Sequence, residues 1–318
     1  MFDVFNGDAD GICALHQLRL RYPQPENHLI TGVKRDIVLL ANVEARETDI
    51  TVLDISLDRN RIELERLLAA GNRVFYADHH YGGILPDHPG LTAHIDPQPQ
   101  TCTSLIINTL LEGAYVSWAV VGAYGDNLND VAEKTGRRAG LGSSQLVILQ
   151  ELGVLLNYNS YGESLEDLYF PPKNLYQELH QYSDPFIFGR DSTIAESLRR
   201  GYADDMAQAS AIPPLQHNSS SRVYRLPEKP WARRISGVFA NHLAREQPHL
   251  AHALINTNSD DSLRISVRAP LRTGTGADSL CRAFPTGGGR AAAAGINRLP
   301  GNQLQRFLDV FSHHFASN

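Results

Sequence analysis

Asp78, His79 and His80 follow directly on the apolar run Val74-Phe75-Tyr76-Ala77, and the chain then breaks at Gly82-Gly83. Such a run predicts a buried strand of an α/β sheet. Polar residues at the carboxyl end of that kind of strand lie where open α/β sheets bind ligands. A carboxylate beside two imidazoles is costly to bury unless a cation or hydrogen bonds pair with it. Three further segments carry acids in the same setting: Asp8 and Asp10 behind Phe2–Phe5, Asp54 at the end of DITVLD, and Asp126 behind the apolar Ser117–Tyr124. Read as strands of one parallel sheet, the four segments deliver these groups to one edge. Asp8 and Asp10, at i and i+2, would face the same way in extended chain.

Carboxylates gathered in this way repel one another unless cations neutralise them. Oxygen donors with one imidazole suit manganese or magnesium better than a thiolate-seeking metal. Two such ions, about 3.5–4 Å apart and bridged by one carboxylate, can activate a water and stabilise the leaving oxygen of a phosphoester. A second constellation is Gly287-Gly288-Gly289-Arg290, followed by an alanine run to Gly295. Consecutive glycines expose backbone N–H groups that can cradle an anion, and the alanines can open a helix or pack closely. Arg268, in the strand-like SVRAP, can add a bidentate phosphate contact.

The elements that must position these residues alternate. Phe2–Phe5 reads as a strand and Ile12–Arg21 as a helix. TGVKRDIVLL and DITVLDIS read as strands, Asp58–Ala70 as a helix ending at Gly71, and Leu91–Ile95 as a strand. A helix over Thr101–Gly113 and long helical patterns through 130–200 follow. The alternation predicts an α/β fold, with a mostly parallel sheet flanked by helices. Residues 201–221, ending in the Pro- and Ser-rich IPPLQHNSSS, read as a linker between a domain of 1–200 and a smaller one of 222–318. The latter carries SRVYRL, AHALINTN and SLRISVRAP as strands and closes with the amphipathic QLQRFLDVFSHHF.

Length and composition fit this division. The 318 residues are 42% hydrophobic and 20% charged, with a net charge of −6. Residues 1–214 hold 16 Lys and Arg against 29 Asp and Glu, a net of −13; residues 215–318 hold 13 against 6, a net of +7. An acidic part can hold divalent cations and an Arg-dominated part can hold phosphates. The overall charge argues against binding long duplexes. No stretch approaches the roughly 20 apolar residues of a membrane helix. Without a basic leader, and with Cys13, Cys102 and Cys281 widely spaced, a reduced cytoplasm is the expected setting.

Asp8-Ala9-Asp10-Gly11, Asp54, Asp78-His79-His80 and Gly122–Asp126 resemble, in order, the four motifs of the DHH phosphoesterase family, and PTGGGRAAAAG resembles the signature of its companion domain, DHHA1. The resemblance implies an active site in the cleft between a DHH domain and a smaller DHHA1-like domain. Asp8, Asp10, Asp54, His79 and Asp126 would ligate two manganese ions (magnesium as an alternative), with Asp54 bridging. His80 would contact the scissile phosphate and assist proton transfer, with Asp78 orienting the histidines. Arg268, Gly287, Gly288, Gly289 and Arg290 would hold the terminal nucleotide. Val4 stands where many small members carry a histidine ligand, leaving Asn6 or a water to fill the gap. Arg290 replaces the histidine that often follows the glycine triplet.

The implied activity is hydrolysis of short single-stranded oligonucleotides or dinucleotides to mononucleotides. The alternatives are a cyclic-dinucleotide phosphodiesterase, a pyrophosphatase or exopolyphosphatase, and a catalytically weakened nucleotide- or RNA-binding protein. A homodimer is left open.

Overall fold

The computed structural model describes residues 1–316. The chain divides into two compact units, residues 1–200 and residues 201–318.

The first unit opens with β1 (Phe2–Phe5), α1 (Ala9–Arg21) and β2 (His28–Ile30). It continues through β3 (Asp49–Leu53), α2 (Leu57–Ala69), β4 (Arg73–Asp78) and β5 (Leu91–Ile95). The five strands form one sheet of order β2-β1-β3-β4-β5, parallel throughout. Because β2 lies on one side of β1 and β3 on the other, the chain reverses its winding at β1/β3. The carboxyl ends of β1 and β3 therefore border the crevice where such sheets take ligands. Register keeps the strand ends level, with Phe5 paired to Leu53 and Leu53 to Ala77. Val4, Val52, Val74 and Tyr76 are buried with Leu57, Leu64 and Leu67 of α2, as expected for strands covered on both faces.

The helical part comprises α3 (Thr103–Leu110), α4 (Val116–Gly125), α5 (Asn129–Arg138), α6 (Ser143–Tyr158), α7 (Pro172–Leu179), α8 (Pro185–Asp191) and α9 (Thr193–Ser210). Two segments differ from the sequence reading. Ser117–Tyr124, expected as a strand, lies inside α4. Its residues are apolar on every side, and a helix buried all round gives no periodicity to separate it from a buried strand. Gly125 faces Ala9 and Gly153 so closely that a Cβ there would collide with both, which lets α4 pack tightly on its neighbours. TGVKRDIVLL, also expected as a strand, is mostly loop: β2 ends at Ile30, and a short 3-10 helix follows at Leu39–Asn42. Ile37 and Val38 are exposed, whereas Leu39 and Leu40 of the 3-10 helix are buried against the sheet.

The second unit begins inside α9, so residues 201–210, expected as linker, are helical. Gln216–His217, also in the expected linker, form β6. After them come β7 (Ser221–Arg225), α10 (Pro230–Glu246), β8 (Ala251–Thr257), β9 (Leu263–Arg268), α11 (Ala277–Arg282), β10 (Gly287–Gly289), β11 (Ala293–Leu299) and α12 (Leu304–Ala316). The sheet order is β10-β11-β9-β8-β7-β6. Only β7 and β8 pair in parallel, joined by α10; the remaining pairs are antiparallel. The alanine run does not open a helix. Ala293 and Ala294 pair with Arg268 and Val267, and this pairing overrides the weak strand preference of alanine. Phe307, Phe311 and Phe315 of α12 pack on the buried face of β8, β9 and β11. Among the described residues no helix is long and apolar enough to cross a membrane.

Candidate metal centre

Asp8 keeps an extended backbone but Asp10 does not, so the two do not lie along one strand. Asp8 is the N-cap of α1: its Oδ1 accepts from the backbone N–H of Asp10 at 2.9 Å and of Gly11 at 3.1 Å, as short polar caps do. Asp10 sits in the first helical turn and reaches across to α3. Its two carboxylate oxygens accept from the N–H groups of Thr103 and Ser104, each at 2.7 Å, so the open end of one helix orients an acid from another. Asp54, just past β3, has φ +59°. That left-handed conformation costs a residue with a Cβ roughly 1 kcal/mol or more. Thr103 Oγ1 donates to Asp54 Oδ1 at 3.1 Å. Asp126 is the C-cap of α4; a helix end, not a strand end, brings it to the cluster.

His79, at the end of β4, faces three of these acids. Its Nε2 lies 3.5 Å from Asp54 Oδ1, 3.8 Å from Asp126 Oδ2 and 4.0 Å from Asp10 Oδ2. Around an octahedral ion at about 2.1 Å, adjacent donors stand about 3 Å apart and opposite ones about 4 Å. This donor set therefore fits a hard divalent cation. Asp54, His79 and His80 each offer a ligand atom within 4.8 Å of the others. Electrostatics point the same way. Burial, reinforced by the charges of Asp10 and Asp8, pushes the Asp54 carboxyl well above the usual carboxylate range. Burial likewise raises Asp126, against the lowering effect of Lys34. A divalent ion among them would relieve the crowding.

His80 is about half exposed, and its Nδ1 lies 2.7 Å from Asp78 Oδ1. Asp78 is fully buried, so the ring donates its Nδ1–H to the carboxylate and keeps Nε2 for a ligand. Burial would lower the His80 pKa, but the hydrogen bond and charge of Asp78 outweigh it and raise it.

One residue here carried no sequence signal. Lys34, in the loop after β2, places Nζ 2.5 Å from Asp8 Oδ2, 3.1 Å from Asn157 Oδ1 and 3.8 Å from Asp126 Oδ1. Asn6, considered as a ligand, is otherwise engaged: its Oδ1 accepts from Asp8 N at 3.1 Å and its Nδ2 donates to the Lys34 carbonyl at 3.3 Å. Val4 is buried in the core.

The second unit carries Arg268 on β9 and the glycine triplet on β10, with β11 between them, and Arg290 directly after β10. Ala293 pairs with Arg268, and Ala294 with Gly289. Arg268 Nε donates to Asn241 Oδ1 at 2.7 Å, and Arg290 is exposed in the β10–β11 turn. The triplet is a strand and not a loop. Gly287 lies against the Cys281 carbonyl and Gly289 has φ +142° with Ala294 close by, whereas Gly288 faces open space. Packing and backbone conformation thus account for two of the three glycines.

No family model and no curated protein matches this sequence. Solved structures do. Exonuclease RecJ bound to manganese superposes with a TM-score of 0.57 over 98% of this chain and 89% of that one, at 17% identity. The pGpG-specific phosphodiesterase PggH of Vibrio cholerae superposes with a TM-score of 0.56 over the full length of both chains, at 13% identity. The chain shares the fold of these two proteins. An exopolyphosphatase-related protein of Bacteroides fragilis shares it, with a TM-score of 0.50, 15% identity and coverage of 99% and 91%. At these identities the likeness is one of fold, and in this fold the acids and histidines described above gather at the carboxyl end of the parallel sheet.

Proposed function

We propose that this protein is a divalent-metal-dependent phosphodiesterase that hydrolyses dinucleotides and other very short oligonucleotides to mononucleotides. One observation carries the reading: Asp10, Asp54 and Asp126 surround His79 Nε2 at 3.5–4.0 Å, with His80 and its Asp78 partner beside them. When bound, a divalent ion there, manganese or magnesium, supplies Lewis acidity toward a phosphoryl oxygen and makes a water a better nucleophile near neutral pH.

The chain's own groups do the rest. Asp10 is held by α3, and Asp54 by Thr103, so the donors need little rearrangement to take the ion. Asp78 fixes the tautomer and direction of the His80 ring. In its imidazolium form, which the Asp78 charge favours, His80 would donate its Nε2–H to the scissile phosphate and pass that proton to the leaving oxygen. Arg268, the backbone at Gly287–Gly289 and Arg290 hold the terminal phosphate, in keeping with the basic character of the second unit. Two neighbours of the same fold, an exonuclease and a pGpG-specific phosphodiesterase, act on nucleotide phosphodiesters. The full-length match to the dinucleotide enzyme favours short substrates.

A substrate panel tests this: linear dinucleotides, cyclic dinucleotides, a long single strand and polyphosphate, each with manganese and with chelator. Linear dinucleotides should turn over fastest and only with metal. Equal rates on the long strand would remove the short-substrate claim, and preference for polyphosphate would move the protein to the exopolyphosphatase reading.

A further inference from the structure

Lys34 is fastened in place from several directions. Its backbone N–H donates to the Ser160 carbonyl at 3.0 Å, its carbonyl accepts from Asn6 Nδ2, and the neighbouring Val33 N–H donates to Asp36 Oδ2 at 3.0 Å. From this anchored backbone the ammonium reaches oxygens of Asp8, Asn157 and Asp126 and lies 5.7 Å from the centroid of the Tyr161 ring. Three oxygens and an aromatic face around one positive group make a cation site that the chain fills itself.

The carboxylates are divided accordingly. Asp8 gives Oδ1 to the α1 N-terminus and Oδ2 to Lys34. Asp126 gives Oδ1 to Lys34 and Oδ2 to the side of His79. Val4, buried in the core of the sheet, offers no donor atom. A divalent ion at Asp8 would have to displace the ammonium or stand against its charge at close range. At the position among Asp10, Asp54, His79 and Asp126 the ammonium is farther off, 3.8 Å from the Asp126 oxygen that faces away from His79.

We infer that the Lys34 ammonium is a built-in substitute for a second metal ion, so that this centre takes one divalent cation beside a fixed positive charge. The inference rests on the metal-dependent reading above and concerns how many ions that reading needs. Lysine cannot be removed by a chelator, so the Asp8 side stays neutralised at any metal concentration.

The test uses the chelator-treated full-length protein titrated with Mn2+, with stoichiometry read by native mass spectrometry and coupling by electron paramagnetic resonance. The wild type should saturate at one ion per chain, with the six-line signal of an isolated Mn2+. Lys34→Met should gain a second ion and the broadened signal of a coupled pair, and Lys34→Arg should stay at one. Two ions or none in the wild type overturns the inference, as does a folded Lys34→Met that still holds one. The wild-type count decides by itself if Lys34→Met does not fold. One bound ion with no phosphodiester hydrolysis would support this inference and overturn the phosphodiesterase reading; hydrolysis with two bound ions would do the reverse.

Discussion

His80 Nδ1 stands 2.7 Å from Asp78 Oδ1, while Asp78 Oδ2 is buried with no hydrogen-bond partner among the described residues. A fully buried carboxylate with one oxygen unsatisfied is expensive to keep. It is retained where it orients a ring that has work to do. Next in sequence, His79 turns toward the acid cluster, so two adjacent imidazoles serve two different neighbours.

This separation gives the first prediction. His79→Ala should weaken Mn2+ binding by roughly 100-fold or more, because a donor itself is lost. His80→Ala should leave metal affinity within a few-fold and reduce kcat by roughly 10²–10⁴, the usual worth of a positioned proton-transfer group. Calorimetric Mn2+ titration and turnover on a dinucleotide check the pair. Equal loss of metal in both variants would contradict the split.

A second prediction concerns the far end of β1. Arg19 donates to both oxygens of Asp3, at 2.5 and 2.9 Å, and to Thr51 Oγ1 at 2.8 Å. Both partners are buried. Removing one leaves the other charge stranded, so Asp3→Asn should cost roughly 3–5 kcal/mol in denaturant unfolding. The double variant Asp3→Asn/Arg19→Met should cost clearly less than the sum of the single changes. Additive losses would mean that the pair does not act as a unit.

The third prediction is a pH dependence of stability. His16 is buried, with Nε2 3.1 Å from the Tyr182 carbonyl and Nδ1 3.0 Å from His180 Nδ1. A carbonyl only accepts, so His16 carries its proton on Nε2 and His180 donates to it. Burial, with the His180 charge, lowers the His16 pKa to about 3, against about 6.5 in the unfolded chain. Between those values the unfolded state binds the proton and the folded state does not. Stability therefore falls as pH drops from 6.5, by up to about 1.4 kcal/mol per pH unit. Burial lowers His180 too and adds in the same direction. Unfolding midpoints between pH 7 and pH 5 should show this slope, and His16→Phe should flatten it by about one proton. An unchanged slope in that variant would remove His16 as its source.

Much of this was legible in the residues. Strands that end in Asp or His announce themselves because a buried apolar run stops abruptly at a costly group, and Asp54 and Asp78 lie at such ends. Asp126 was legible as a site residue but not as to its carrier, since α4 is apolar on all sides and leaves no period to read. Gly287–Gly289 gave no sign of being a strand, because glycine carries no strand signal; pairing with β11 decides its conformation. Lys34 was invisible for another reason. A single lysine in a loop has no local signature, and only contacts with Asn6, Asn157 and Ser160, distant in sequence, bring it to Asp8.

The most direct test of the central claim is the hydrolysis rate of a linear dinucleotide across a Mn2+ titration, for wild type and Asp54→Asn. Asn also tolerates the left-handed backbone found at Asp54, so the variant changes charge without refolding the turn. Turnover should appear with added metal in the wild type, vanish in chelator, and fall by roughly 10³ or more in Asp54→Asn, as loss of a major electrostatic contribution does. Metal-independent turnover, or an Asp54→Asn variant as active as the wild type, would contradict the account.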